Sequence, residues 1–114
     1  MNVLDPRTAA QAAVIANPDR PATAIVHDHE DARLVVFRLA PGQEVRPHQS
    51  KSSVLLAVLE GSGLVIGERD GAPHEEWCGA GTVVAFAPNE LHGMRAAGSP
   101  FHLLAIITPR PGSR

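Results

Sequence analysis

Residues 42–61 read GQEVRPHQSKSSVLLAVLEG and residues 81–96 read GTVVAFAPNELHGMRA. In the first stretch Gly42 is followed after five residues by His48, after one by Ser50, after three by Val54 and after six by Gly61. In the second, Gly81 is followed after five residues by Ala87, after one by Asn89, after two by His92 and after three by Ala96. Side chains alternate along a strand, so His48 and Ser50 share a face, as do Val54, Leu56 and Val58 on the next strand. Leu55, Ala57 and Leu59 make the opposite face apolar too, which predicts a strand covered on both sides by a second sheet or a partner subunit. Gly42 after Pro41 marks a tight turn, Gly61-Ser62-Gly63 reads as a hairpin, and Asn89 suits a left-handed turn residue before His92.

The rest of the chain extends this β reading. Apolar or β-branched runs bounded by turn residues predict about nine short strands, at 24–27, 34–37, 44–48, 53–59, 64–67, 74–78, 82–86, 92–96 and 101–107. Arg69-Asp70-Gly71 and Gly79-Ala80-Gly81 supply turns. Regular short strands without an interior helical pattern indicate an all-β sandwich or jelly roll. Ahead of them, residues 1–21 hold one short helix. Asp5-Pro6 offers a cap and a proline at the first position, Thr8 and Gln11 form a weak capping box, and Asn17-Pro18 stops the alanine-rich run at 9–16. A helix that short must pack on something to persist. The barrel is expected over 22–108 and a flexible tail over 109–114.

The two frames resemble the two motifs of the cupin superfamily, and the resemblance spans about residues 34–107. It implies a jelly-roll β-barrel, frequently a homodimer, with a central site built from four positions. The family's first motif carries two histidines and a glutamate where this chain has His48, Ser50 and Val54, and its second carries the histidine found here as His92. The second motif's proline, glycine and asparagine are replaced by Ala87, Asn89 and Ala96, with Pro88 one place late. Spacing is kept while half of the metal-binding residue types are lost.

Two neutral imidazoles fall short of the three protein ligands usual at a catalytic metal, serine is a poor ligand and valine is none. His102 lies on the predicted last strand, but if Leu103, Ala105 and Ile107 point inward it points outward. The leading expectation is therefore a small-molecule-binding protein with no required cofactor, its pocket lined by His48, Ser50, Val54, Leu56, Val58, His92 and Met94. The alternative is a metal-dependent oxygenase or isomerase holding Fe, Mn, Ni, Zn or Cu through His48 and His92, with His102 as a further ligand.

Other polar clusters read as structure. His27, Asp28, His29, Glu30 and Asp31 fall in a turn, His74 with Glu75 and Glu76 on a strand edge, and Glu90 beside His92 in a solvated turn. Ser50 with His48 lacks an orienting acid for nucleophilic catalysis. Trp77 reads as a packing or interface residue.

Charge and cysteine use limit the remaining classes. The net charge is −2, the only lysine is Lys51 and the arginines are scattered, so neither nucleic acid nor an anionic membrane is an expected partner. The apolar run at 54–59 is too short to span a bilayer, and residues 1–6 do not resemble a signal peptide. Cys78 has no partner cysteine and is expected to be a small buried hydrophobe, which makes the cytoplasm the default compartment.

Overall fold

The computed structural model describes residues 1–112. Its elements in chain order are helix α1 (Pro6–Ala12) and strands β1 (Ala22–Asp28), β2 (Arg33–Leu39), β3 (Glu44–His48), β4 (Ser53–Arg69), β5 (Ala72–Gly79), β6 (Val83–Phe86) and β7 (His92–Thr108). All pairings are antiparallel, and the main path of the sheet runs β1-β2-β7-β4-β5, with β3 on β7 and β6 on β4.

The long strands β4 and β7 build the architecture. The first half of β4 pairs with β6 and with the second half of β7, which also pairs with β2. Past shifts in register between Val58 and Gly63, the second half of β4 pairs with β5 and with the first half of β7, whose other neighbour is β3. The hydrogen-bonded network thus folds over on itself into two facing layers, the jelly roll expected from the sequence. Between them lies one core, with Leu39, Phe101 and Leu103 fully buried and Val54, Leu56, Val58, Val65, Phe86 and Met94 almost so. Cys78 is buried in the same core.

Two expected breaks are absent. Gly61-Ser62-Gly63 does not close a hairpin; it bends one continuous strand, and the predicted segments at 53–59 and 64–67 are both β4. Likewise 92–96 and 101–107 are both β7. Seven strands among the described residues therefore carry what reads as nine. The glycines serve close approach rather than chain reversal. Gly61 has φ +75°, and a Cβ there would collide with the Pro100 carbonyl oxygen, while one on Gly63 would enter the Phe101 ring.

Helix α1 starts as read and ends early. Asp5 caps it by accepting from the Thr8 amide (3.1 Å) and hydroxyl (2.9 Å), with Pro6 in the first turn. The Thr8–Gln11 capping box is not formed, because Gln11 instead donates to Glu60 Oε1 at 2.8 Å. The helix stops at Ala12, short of Asn17. Its buried Ala10 packs on Val36 and Leu104, and Ala57 and Leu59 join this second cluster. The apolar back of β4 is thus partly covered within the chain, while Leu55 stays exposed.

The expected tail at 109–114 is tied down as far as it is described. Ser52 Oγ donates to the Pro109 carbonyl at 2.7 Å, and the Arg110 amide to the Glu30 carbonyl at 3.1 Å. Ser113 and Arg114 lie outside the described residues. No described helix is long and apolar enough to cross a membrane.

Candidate functional site

His48 and His92 stand directly opposite one another where β3 pairs with β7. Their ring centroids are 4.2 Å apart with the planes at 61°. A register shift between Val45 and His48 accommodates Pro47, which has no amide hydrogen to give the ladder. Gly93 makes the approach possible: a Cβ there would lie 2.8 Å from the Val45 carbonyl oxygen and 2.9 Å from Pro47 N. The turn leading into β7 is built by Asn89, whose φ of +67° is the left-handed conformation its sequence position predicts. Asn89 also joins the two motif loops, its amide donating to the Ser50 carbonyl (2.7 Å) and its carbonyl accepting from Gln49 Nε2 (2.9 Å).

Both histidines are oriented in the same way. Nδ1 of His48 lies 3.0 Å from the Arg46 carbonyl oxygen, and Nδ1 of His92 lies 3.0 Å from that of Glu90. A carbonyl only accepts, so each Nδ1 carries the hydrogen and each neutral ring keeps an unprotonated Nε2. His92 is buried and His48 is exposed. Burial pushes the His92 pKa below its ordinary value and neighbouring His48 adds to this, against opposing effects of the Glu90 carbonyl and carboxylate. Neutral His92 is the form the site favours.

The pair lines a cavity of about 270 Å³ between the two layers. Of the seven expected lining residues, His48, Ser50, Val54, Leu56, His92 and Met94 line it. Val58 does not; it is buried in the core two positions past Leu56. Sequence reasoning missed Phe37, Val45, Ala105, Ile107 and Pro111. Ala105 and Ile107 were signalled by their alternation with His102, and Phe37 by its alternation with Leu39. Pro111 gave no signal, since its place depends on the Ser52 and Glu30 contacts that anchor the segment after β7.

His102 is not part of this site. It lies on the opposite face of β7 from Leu103 and Ala105, between Arg38 of β2 and Glu60 of β4. The outward alternative read from alternation is the correct one, and a His48/His92/His102 metal site is excluded by the strand's own geometry. The remaining positions of the motif frame hold Ser50 and Val54, and no group of three His, Cys, Asp or Glu able to hold an ion exists among the described residues. The donor set does not fit the usual three-ligand metal centre.

The other polar clusters lie elsewhere. Asp28 pairs with Arg33 (3.3 Å) and Arg110 (3.8 Å), so the turn after β1 is held by ion pairs. Glu76 accepts from Arg69 and lies 3.3 Å from His74 Nε2 on the β4–β5 hairpin. Glu90 is a turn residue, as read, and its carboxylate accepts from the Ala87 amide at 3.0 Å. Trp77 is exposed on β5.

No protein-family model matches the sequence, and no curated protein matches it. Solved structures do. A protein of Thermus thermophilus superposes with a TM-score of 0.79 at 27% identity, over 97% of this chain and all of its own. An RmlC-like cupin protein from Desulfovibrio desulfuricans gives 0.73 at 28% identity, over 86% of this chain and 91% of its own. A conserved protein with a double-stranded β-helix domain from Klebsiella pneumoniae gives 0.77 at 20% identity, over 89% and 87%.

Proposed function

The chain belongs to the cupin superfamily by its fold, and from that premise we propose that it binds a small, uncharged, largely apolar molecule between its two sheets. The composition of the cavity wall carries this reading. Phe37, Val45, Val54, Leu56, Met94, Ala105 and Ile107 form an apolar body, Ser50, His48 and His92 supply the polar contacts, and among the described residues no Asp, Glu, Lys or Arg lines it. A charged ligand would lose its hydration there without a counter-charge. A volume of about 270 Å³ sits near the lower end of the roughly 300–1,000 Å³ of ordinary ligand sites, so the molecule is small.

The histidines define its polar end. With both Nδ1 hydrogens held by backbone carbonyls, the two Nε2 atoms offer acceptors to a hydroxyl or N–H of the ligand. Neutral His92 then accepts a hydrogen bond without a buried charge.

The alternative, a metal-dependent oxygenase or isomerase, would rest on these same two imidazoles and lacks a third donor. The deciding experiment titrates untagged protein with p-cresol, a hydroxyl on an apolar ring, and measures metal content after growth with Fe, Mn, Ni, Zn and Cu. The binding reading predicts saturable p-cresol binding weakened in His92→Ala and in His48→Ala, with no stoichiometric metal. Metal at one equivalent, lost in both variants, would establish the alternative.

A further inference from the structure

A second cavity, also of about 270 Å³, opens at the far end of the outer sheet face. The link after α1 (Ile15, Pro18, Arg20), the β2–β3 turn (Ala40, Pro41, Gln43) and residues of β1, β2 and β7 enclose it. Its polar wall consists of Arg20, Arg38, Gln43 and His102, and among the described residues no carboxylate lines it. Among the described residues neither arginine lies within ion-pair distance of an acidic side chain, whereas Arg7, Arg33, Arg46, Arg69, Arg95 and Arg110 all do.

Arg38 is part-buried and fixed in place. Its Nη1 donates to the carbonyls of Ala10 (2.8 Å) and Gln11 (2.7 Å) at the end of α1. Those partners are neutral, and among the described residues Nε and Nη2 make no hydrogen bond, so the charge and part of the fork remain available. His102 is more than nine-tenths buried and its Nδ1 has no hydrogen-bond partner. The nearest acidic oxygen, Glu60 Oε2, stands at 3.7 Å, beyond hydrogen-bond distance, while Arg7 and Gln11 hold the carboxylate through its other oxygen, Oε1. Gln43 holds the cavity open, donating to the Pro18 and Arg20 carbonyls and accepting from the Ala40 amide. Ile15, Pro41 and Pro100 complete the wall with apolar surface.

We infer that this cavity is a separate binding site for a small organic carboxylate, with Arg38 and Arg20 facing the anion and Ile15, Pro41 and Pro100 its apolar body. A part-buried guanidinium without a counter-ion gains most from such a ligand, because charge-assisted pairs strengthen where water is partly excluded. The inference is independent of the His48–His92 reading.

The test is an NMR titration of the full chain with benzoate, its neutral isostere benzamide, and inorganic phosphate. Saturable benzoate shifts are expected at Ile15, Ala22 and His102, with benzamide and phosphate each about tenfold weaker or more. Arg20→Gln, at an exposed position that leaves the fold intact, should weaken benzoate about tenfold, while His48→Ala should leave it unchanged. Benzoate and benzamide binding alike, absence of saturation up to about 10 mM, or shifts confined to Met94 and His92 would each overturn the site. Phosphate binding as tightly as benzoate would overturn the assignment to an organic carboxylate.

Discussion

Replacing Gly93 by alanine should damage the fold and the candidate site together. A Cβ on Gly93 would lie 2.8 Å from the Val45 carbonyl oxygen, 2.9 Å from Pro47 N and 3.0 Å from Pro47 Cα. Ordinary contacts of this kind are about 3.5 Å or more, so β3 must retreat from β7 by roughly 0.5 Å. All three obstructing atoms are backbone, and no side-chain rotation relieves them. Overpacking of this sort costs about 2 kcal/mol, a large share of the roughly 5–15 kcal/mol that holds a domain folded. At about 4 °C per kcal/mol for a chain of this size, the midpoint should fall by about 8 °C. The same retreat carries His48 away from His92, its direct partner across β3 and β7, so p-cresol affinity should fall in parallel. Gly98→Ala is the control: a Cβ there meets nothing within 4 Å, and its effect should stay within about 0.5 kcal/mol. Thermal and urea denaturation of the two variants, with p-cresol titrations alongside, make the comparison. Equal stability and equal affinity in the two would refute the idea that close backbone approach at Gly93 positions the histidines.

Three further outcomes follow from individual residues. Asn89, at φ +67°, should cost about 1 kcal/mol when replaced by alanine and nearly nothing when replaced by glycine, as read from urea midpoints. Acidification should destabilise the protein from about pH 6.5 downward. His92, facing His48 and Glu90, and His102, facing Glu60 and Arg38, both have folded pKa values lowered chiefly by burial from the ordinary 6.5. Well above 6.5 neither state holds the proton. Below it the unfolded chain takes up protons that the fold refuses, so stability falls with pH. The urea midpoint should drop between pH 7.5 and 5.5 and flatten in a His92→Gln, His102→Gln double variant; a midpoint that rises would contradict this. Finally, Glu60→Ala removes the acceptor for Arg7 (3.2 Å) and Gln11 (2.8 Å), loosening α1 at a cost of about 1 kcal/mol. Amide exchange at Ala9 and Ala10 should quicken while exchange in β4 holds.

The sequence disclosed the barrel and the facing of its strands because both are local: alternation at Val54, Leu56 and Val58, a left-handed turn at Asn89, a cap at Asp5. It split β7 in two because Ala97-Gly98-Ser99-Pro100 has the composition of a turn, and β4 because Gly61-Ser62-Gly63 has the composition of a hairpin. Only the distant Pro100 and Phe101, against which those glycines pack, show that the chain bends there without reversing. The site was legible in the same proportion. His48 and His92 and the near wall came from motif spacing, and the outward turn of His102 from alternation. The far wall did not, since Val45 and Pro111 reach the cavity through the β3 bulge and the anchoring of residues after β7. The polar row Arg38, His102 and Glu60 was also invisible, being assembled across three strands far apart in sequence.

Everything proposed for the inner cavity depends on His48 and His92 presenting bare Nε2 atoms to a small uncharged ligand. Long-range imidazole ¹H–¹⁵N spectra at pH 7.5, recorded with and without p-cresol, examine those atoms themselves. Nδ1–H tautomers are expected for both rings, with saturable shifts at both Nε2 atoms and at the Met94 methyl. Nε2–H tautomers, or Nε2 resonances indifferent to p-cresol, would contradict the binding reading.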